Sequence, residues 1–386
     1  MERKLFVLVL TVCLLVSVGC QKADRNNHAT ATISQDTSYI TALFLYQDTL
    51  YTMRQSGSRV FLVAEEDAEA QPEFAGTMIT EVESDYGSLP FWDEKTGTIC
   101  YASGSSLYQY DMKTQEDTLL WSLPEATKKD HIAVIQYSDD WFVIQAFRGQ
   151  KNTGHDCAIN PYLMKSMEYM AVNRQTGETV PLCYVTPEDV TVSGWGGTSF
   201  TRNYIADNGY YGLVSPLCMD GNEFYYLQHK TKADAEQTLA VVLCTDLLTG
   251  ETTELAEFEQ KDIYHAEGCR IGEYLYFTTD HFGIWALDLS ERAFEYRLVA
   301  MEEEGHRYHL PHRLLSEADH LYLILWDDND VSYGPIMGAL CEWDPETNTV
   351  TPVSDSDYVL DGADNVCFYG EIYYLFSGTN MISGEF

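Results

Sequence analysis

Gly272-Glu273-Tyr274-Leu275-Tyr276 is a tight turn followed at once by residues that favour pleated sheet, and the same short phrase stands at six other places in the chain. The other copies are Gln47-Asp48-Thr49-Leu50-Tyr51, Thr96-Gly97-Thr98-Ile99-Cys100-Tyr101, Asp139-Asp140-Trp141-Phe142, Asp220-Gly221-Asn222-Glu223-Phe224-Tyr225, Asp319-His320-Leu321-Tyr322 and Gly370-Glu371-Ile372-Tyr373. Between the aligned aromatics the steps are 50, 41, 83, 51, 46 and 51 residues. That period suits a repeating unit of several strands, not a solenoid coil of about twenty to thirty residues.

A second phrase recurs downstream of five copies: Tyr110-Asp111-Met112-Lys113-Thr114-Gln115, Val172-Asn173-Arg174-Gln175-Thr176-Gly177, Thr245-Asp246-Leu247-Leu248-Thr249-Gly250, Leu287-Asp288-Leu289-Ser290-Glu291-Arg292 and Trp343-Asp344-Pro345-Glu346-Thr347-Asn348. Its Asp or Asn can accept backbone N–H bonds at the head of a turn, and three copies place Gly or Asn where a positive φ is wanted. This predicts the hairpin between a unit's two outer strands. Ser106 to Tyr110 with Thr118 to Leu123, and Leu239 to Cys244 with Thr252 to Phe258, are the strand pairs it joins.

Sustained apolar spacing of three and four is scarce, with Pro161 to Met170 and Lys232 to Gln237 as the candidate helices. An all-β chain with seven evenly placed strand signals hides its edges best in a closed ring. The sequence therefore predicts a β-propeller of seven blades, each of four antiparallel strands, with six or eight blades as the alternatives. Asn365 to Phe386 supplies only two or three strands, so Ala29 to Ser34, which alternates with period two, is expected to complete that last blade. The 83-residue step marks two insertions, Arg148 to Pro161 and Pro187 to Asn208, the second containing Trp195. Long loops on a rigid ring are where ligands bind, so this is the first candidate site.

Arg3 and Lys4 precede an apolar run from Leu5 to Val18, of signal-peptide length and short for a membrane span. The run ends at Ser17-Val18-Gly19-Cys20, which resembles the lipobox of exported bacterial lipoproteins, with Ser17 where leucine is usual. The resemblance implies cleavage before Cys20 and lipidation of that residue. Residues 1–19 are then a signal peptide, 20–28 a polar tether, and 29–386 a single domain outside the cytoplasmic membrane.

The chain carries 23 basic and 60 acidic residues, a net charge of −37. Such a field repels nucleic acid and anionic headgroups, keeps an exposed monomer soluble, and leaves basic partners open.

The chemistry-bearing residues point to no cofactor. Cys100, Cys157, Cys183, Cys218, Cys244, Cys269, Cys341 and Cys367 sit mostly in apolar strand sequence without C-x-x-C spacing and read as small buried hydrophobes, with disulfides as the alternative. His306-x-x-His309-x-x-His312 has borderline-metal ligands but includes Pro311 and fits one helix face poorly, so it reads as polar loop. Trp326-Asp327-Asp328-Asn329-Asp330 lacks the glycine and distal glutamate of a calcium loop. No nucleophile elbow, phosphate loop or H-E-x-x-H motif occurs.

By period and turn phrase over residues 29–386, the chain resembles bacterial surface lipoproteins with a β-propeller domain, of the quinoprotein-like and TolB-like groups. Ile284-Trp285-Ala286-Leu287-Asp288-Leu289 is similar to a quinoprotein blade segment but lacks its glycine and following tryptophan, so no quinone is expected. The functional expectation is a membrane-anchored binding or scaffolding module for a protein, peptide or glycan. Alternatives are a hydrolase or lyase acting on extracellular polysaccharide at the central channel, and an envelope assembly factor. Arg202, His265, Arg270, His281 and Arg313 are the residues whose convergence on the channel would favour the enzyme.

Overall fold

The computed structural model describes residues 28, 30–35, 38–65, 73–81, 88–151, 162–194, 197–231, 238–260, 263, 266–279, 282–303, 306–327, 337–354 and 358–385. Every regular element among them is a strand, and all strand pairs are antiparallel.

The first sheet holds β1 (Thr30–Ser34), β2 (Tyr39–Tyr46), β3 (Thr49–Ser56), β4 (Arg59–Ala64) and β5 (Glu73–Glu81), in the order β1-β5-β4-β3-β2. The second runs β6 (Phe91–Asp93), β7 (Thr98–Ser103), β8 (Ser106–Asp111), β9 (Glu116–Ser122). A nine-stranded sheet follows as two consecutive meanders: β10 (His131–Tyr137), β11 (Trp141–Lys151), β12 (Tyr162–Asn173) and β13 (Thr179–Gly194), then β14 (Gly197–Ala206) as the link to β15 (Tyr211–Asp220), β16 (Glu223–His229), β17 (Leu239–Asp246) and β18 (Thr252–Glu259). Next come β19 (Glu267–Ile271), β20 (Tyr274–Thr278), β21 (Ile284–Asp288) and β22 (Ala293–Arg297). A six-stranded sheet comprises β23 (Met301–Glu303), β24 (His306–Glu317), β25 (His320–Asp327), β26 (Met337–Asp344), β27 (Thr349–Pro352) and β28 (Val359–Asp361). Strands β29 (Asn365–Tyr369), β30 (Ile372–Ser377) and β31 (Asn380–Glu385) form the last.

Apolar cores join each meander to the next. Phe44, Met53 and Val60 meet Ile99 and Tyr101; Cys100 and Leu107 meet Phe142 and Ile144; Val143 and Tyr169 meet Phe224 and Tyr226. Tyr225 and Leu227 then meet Leu275 and Phe277, Tyr276 and Ile284 meet Leu323 and Trp343, and Tyr322 and Ile324 meet Tyr373 and Leu375. Finally Ile40 and Leu43 meet Phe376, which brings the series back to its start. The arrangement is β-propeller-like. It explains the turn phrase too: the strand after each turn is packed on both faces, so Phe224 to Leu227 is an unbroken apolar run, each side chain contributing about 1.5–3 kcal/mol of burial.

The five outer-strand turns fold as their sequence predicts. The carboxylate or amide oxygen of Asp111, Asn173, Asp246, Asp288 and Asp344 accepts the N–H groups two and three residues on, at 2.7–3.4 Å. Position five has positive φ in all of them, including Gln115 (56°) and Arg292 (55°), where no glycine signals it. Hydrogen bonds to the Asp344 carboxylate from the Thr347 hydroxyl and the Glu346 N–H, and to Asp288 from Ser290 and Glu291, hold both carboxyls below the usual range.

Two expectations are corrected. Thr30–Ser34 does not complete the last sheet; it lies antiparallel on β5, with Thr30 opposite Thr77 and Ser34 opposite Glu73. Its buried Ile33 packs with Phe61, Val63 and Phe74, against Gly76, where any Cβ would clash with the Ile33 methyl. The last sheet keeps three strands, and the ring closes by packing, by the Ile40 N–H donating to the Gly378 carbonyl (2.7 Å), and by the Tyr369 hydroxyl donating to the Leu43 carbonyl (3.0 Å). Residues 162–170, expected to be helical, belong to β12, which pairs with β11 on one side and β13 on the other; that two-sided pairing overrides the helix propensity of its Leu, Met and Glu residues. Residues 232–237 lie outside the described residues.

The chain is already held at His28, whose ring nitrogens lie 2.7 Å from the Asp117 carboxylate and 2.7 Å from the Met78 carbonyl. Seven described cysteines are free thiols, all buried but Cys367; Cys157 lies outside the described residues.

Candidate functional site

The 83-residue step is not a loop. The expected insertion Pro187 to Asn208 is mostly an antiparallel hairpin in which β13 runs on past its partner β12 and pairs with β14 from Val185–Ala206 to Gly194–Gly197. Alternating Val and Thr in Val190-Thr191-Val192 favour this extended form over coil. Arg148 to Lys151 likewise finish strand β11; residues 152–161 lie outside the described residues.

At the root of the hairpin is a cleft of about 610 Å³, lined by Tyr169, Met170, Pro181, Leu182, Cys183 and Tyr184, with Pro124, Arg148, Glu168, Thr179, Asp207 and Asn208 around them. Thr179–Tyr184 is the outer part of the blade at this point, and Pro181, lacking an N–H, suits an edge that no further strand covers. The chain bends back into β15 through Asp207, which accepts the Tyr184 N–H (2.8 Å) and donates its own N–H to the Tyr184 carbonyl (2.9 Å). Tyr184 remains 38% exposed beside the cleft.

One wall is charged but closed. The Arg148 guanidinium donates to both Glu168 oxygens (2.9 and 3.2 Å) and to the Pro124 carbonyl (3.2 Å), with Asp130 at 3.5 Å. Asp130 in turn accepts the N–H groups of Thr127 and Gly149. Burial works to raise its carboxyl pKa, yet these bonds and Arg148 outweigh it and hold it low. Burial pushes the Cys183 thiol up to about 12, so it stays protonated at neutral pH and is no nucleophile. The cleft thus combines an apolar floor, a neutralised wall and an open strand edge.

Of the other candidates, Arg270 and Arg313 are the two whose side chains are described. Arg270 on β19 reaches back to Asp220 (3.0 Å), Glu223 and the Tyr225 hydroxyl (2.9 Å), tying two neighbouring meanders together. Arg313 on β24 is paired with Glu267 of β19 (2.7 Å), whose other oxygen accepts the Leu314 N–H (2.9 Å). Each arginine is thus neutralised by a carboxylate of the preceding sheet. Arg202 lies on β14 opposite Asp189, with its side chain outside the described residues; Trp195, His265, His281 and Cys20 are wholly outside them. The three histidines of the 306–312 segment lie on strand β24: His306 stands 3.2 Å from Asp327, His309 3.3 Å from the Arg307 carbonyl, and His312 stacks on Trp326 at 3.7 Å. Asp327 is buried at the end of β25, and residues 328–330 are outside the described residues.

The insertions named from the sequence contribute Arg148, Asp207 and Asn208 to this cleft, but sequence reasoning missed the β12 and β13 residues that form its floor. The signal that could have found them is Pro181 within an otherwise strand-like run directly before an insertion.

No protein-family model matches the chain, and no curated protein matches it in sequence. Among solved structures it is similar to the computationally designed Ika8 protein, with a TM-score of 0.47 and 11% identity over 91% of this chain and 97% of that one. It is also similar to an oligogalacturonate lyase in complex with manganese, with a TM-score of 0.36 and 14% identity over 84% of this chain and 95% of that one.

Proposed function

We propose that this protein is an extracytoplasmic binding module: a seven-bladed propeller, anchored to the membrane as a monomer through lipid on Cys20, that captures an extended peptide segment of a partner protein. Seven inter-sheet cores support the blade count, and the apolar run ending in Gly19-Cys20 supports the anchor. The observation that carries the binding reading is the cleft of about 610 Å³ at the root of the β13–β14 hairpin. It offers a peptide an uncovered strand edge for its backbone and an apolar floor for one side chain in two.

The test is selection of random linear peptides on the purified protein. Enriched peptides are expected to bind the native chain and to lose at least about tenfold in affinity against Thr179→Arg, which places a long cation on an exposed cleft residue, and against Tyr184→Ala. Failure to enrich any peptide, or binding indifferent to both substitutions, overturns the reading.

A further inference from the structure

The first strands of the meanders touch one another in turn: β2 meets β6, β10 meets β15, β15 meets β19, β19 meets β24, and β29 meets β2. Residues at or near their C-terminal ends line common cavities, Tyr137 of β10 with Tyr369 of β29, and Tyr137 with Asp220 of β15, Arg270 of β19 and Ser316 of β24, so these ends emerge together at one mouth. Two cavities open there and share Tyr137: one of about 380 Å³ beside β2, β6 and β29, one of about 310 Å³ beside β15, β19 and β24.

The larger cavity has an unusual lining. Phe91 and Tyr137 stack face to face at 4.0 Å, and Tyr369 stands in the same wall with its hydroxyl fixed on the Leu43 carbonyl (3.0 Å). Water reaches Tyr137, which is 42% exposed, yet burial raises its phenol pKa. A side chain both wet and crowded is one inside a narrow opening. The charges are unequal: Asp93, Glu94 and Asp139 face Arg174 and Lys95, three carboxylates against two cations. Arg174 is taken by Asp93 and the Ser138 carbonyl (2.8 Å), and Lys95 by Asp139 (3.1 Å). Glu94 is left without a cation among the described residues, and its charge adds to burial and to Cys367 in raising the Tyr369 phenol.

We infer that this channel mouth is a binding site for an organic ammonium group, held over the aromatic faces of Tyr137 and Tyr369 with Glu94 as its counter-charge. Aromatic faces attract cations through their quadrupole, and the attraction grows as water is excluded. The net charge of −37 concentrates cations around the whole molecule, and the mouth selects those with an apolar shell. The site lies apart from the hairpin cleft and does not depend on the peptide reading.

The experiment is saturation-transfer NMR of tetramethylammonium, and separately of N-acetyl-lysine amide, over the native protein. Saturable binding is expected, weakened at least about fivefold in Tyr137→Ala and several-fold in Glu94→Gln. Preference for tetramethylammonium points to a small methylated amine as the natural occupant, and preference for the lysine derivative to a side chain of a protein. Glu94 is exposed, so its substitution leaves the fold intact and keeps the test valid should Tyr137→Ala unfold. Signals absent with the native protein, or equal in both variants because the acidic surface attracts cations diffusely, overturn the proposal.

Discussion

The first sheet has two neighbours and meets them differently. Toward the second sheet it presents Phe44, Met53, Val60, Leu62 and Ile79, a mainly apolar surface with the Thr80 hydroxyl donating to the Ala102 carbonyl (3.3 Å). Strand alternation turns Leu50, Thr52 and Arg54 to the opposite face, toward the last sheet; there only Ile40, Leu43 and Leu50 join the apolar core with Phe376. Further out on that face Arg54 donates to both oxygens of Glu65 (2.9 and 3.1 Å) and to Thr52 (3.1 Å), Thr52 donates to Glu65, and the guanidinium lies over Phe74. Arg54 and Glu65 side chains are only 3% and 6% exposed. The last sheet has three strands and the first has five, so the two cannot cover each other strand for strand. The lesson is that the two faces of one sheet are filled differently: mainly by apolar side chains toward the second sheet, and on the other face by a buried polar network set beside Phe61, Val63 and Phe74.

The largest expected effect comes from breaking that network on one side. Arg54→Met strands the Glu65 carboxylate in a buried site and is expected to cost about 3–5 kcal/mol in urea unfolding. The double variant Arg54→Met/Glu65→Leu is expected to recover most of it, since apolar packing there would imitate the second interface. A cost below about 1 kcal/mol for the single variant would mean that the seam is wet and the contrast between the two interfaces unreal.

A smaller effect sharpens the contrast by probing what is repeated. Asp111, Asp288 and Asp344 have carboxyl pKa values held down by N–H and hydroxyl bonds in the folded chain, chiefly from Thr114, Ser290 and Thr347. The unfolded chain therefore takes up protons first as pH falls. The stabilisation is present above the unfolded value of about 4 and is lost as pH drops through the folded values. Asn173 performs the same turn without a charge. The triple change of these three residues to Asn is thus expected to leave Tm at pH 7 nearly unaltered and to make its fall below pH 4 shallower. An unchanged acid slope would show that the turns contribute nothing to the pH dependence.

The repeated parts were legible in the sequence because their causes are local. An Asp followed by N–H groups two and three residues on folds into the same turn wherever it occurs, and an apolar strand after it is packed on both faces. Even there Gln115 and Arg292 take positive φ with no residue to announce it. The parts that were not legible depend on pairings distant in sequence. Alternation in Thr30–Ser34 says that one face is buried but not whether β5 or β31 receives it. Residues 162–170 carry helix-forming side chains, yet lie between two strands that fix them as extended. Of the named site residues, Arg270 and Arg313 are ties between sheets; the insertions pointed to the cleft's edge at Arg148, Asp207 and Asn208, while its floor was signalled only by the position of Pro181.

Closure of the ring by the last sheet against the first, residues more than three hundred positions apart, underlies the propeller reading and the channel-mouth site. Cys367 lies 3.6 Å from the Leu43 carbonyl in the same small core, and Leu43→Cys would place a second thiol opposite it. Treatment of that variant with a short thiol–thiol cross-linker, followed by denaturing electrophoresis, is predicted to give a fast-migrating monomer closed into a loop, absent when Cys367 is replaced by serine. Uncross-linked chain with both thiols shown to be reactive would contradict the account.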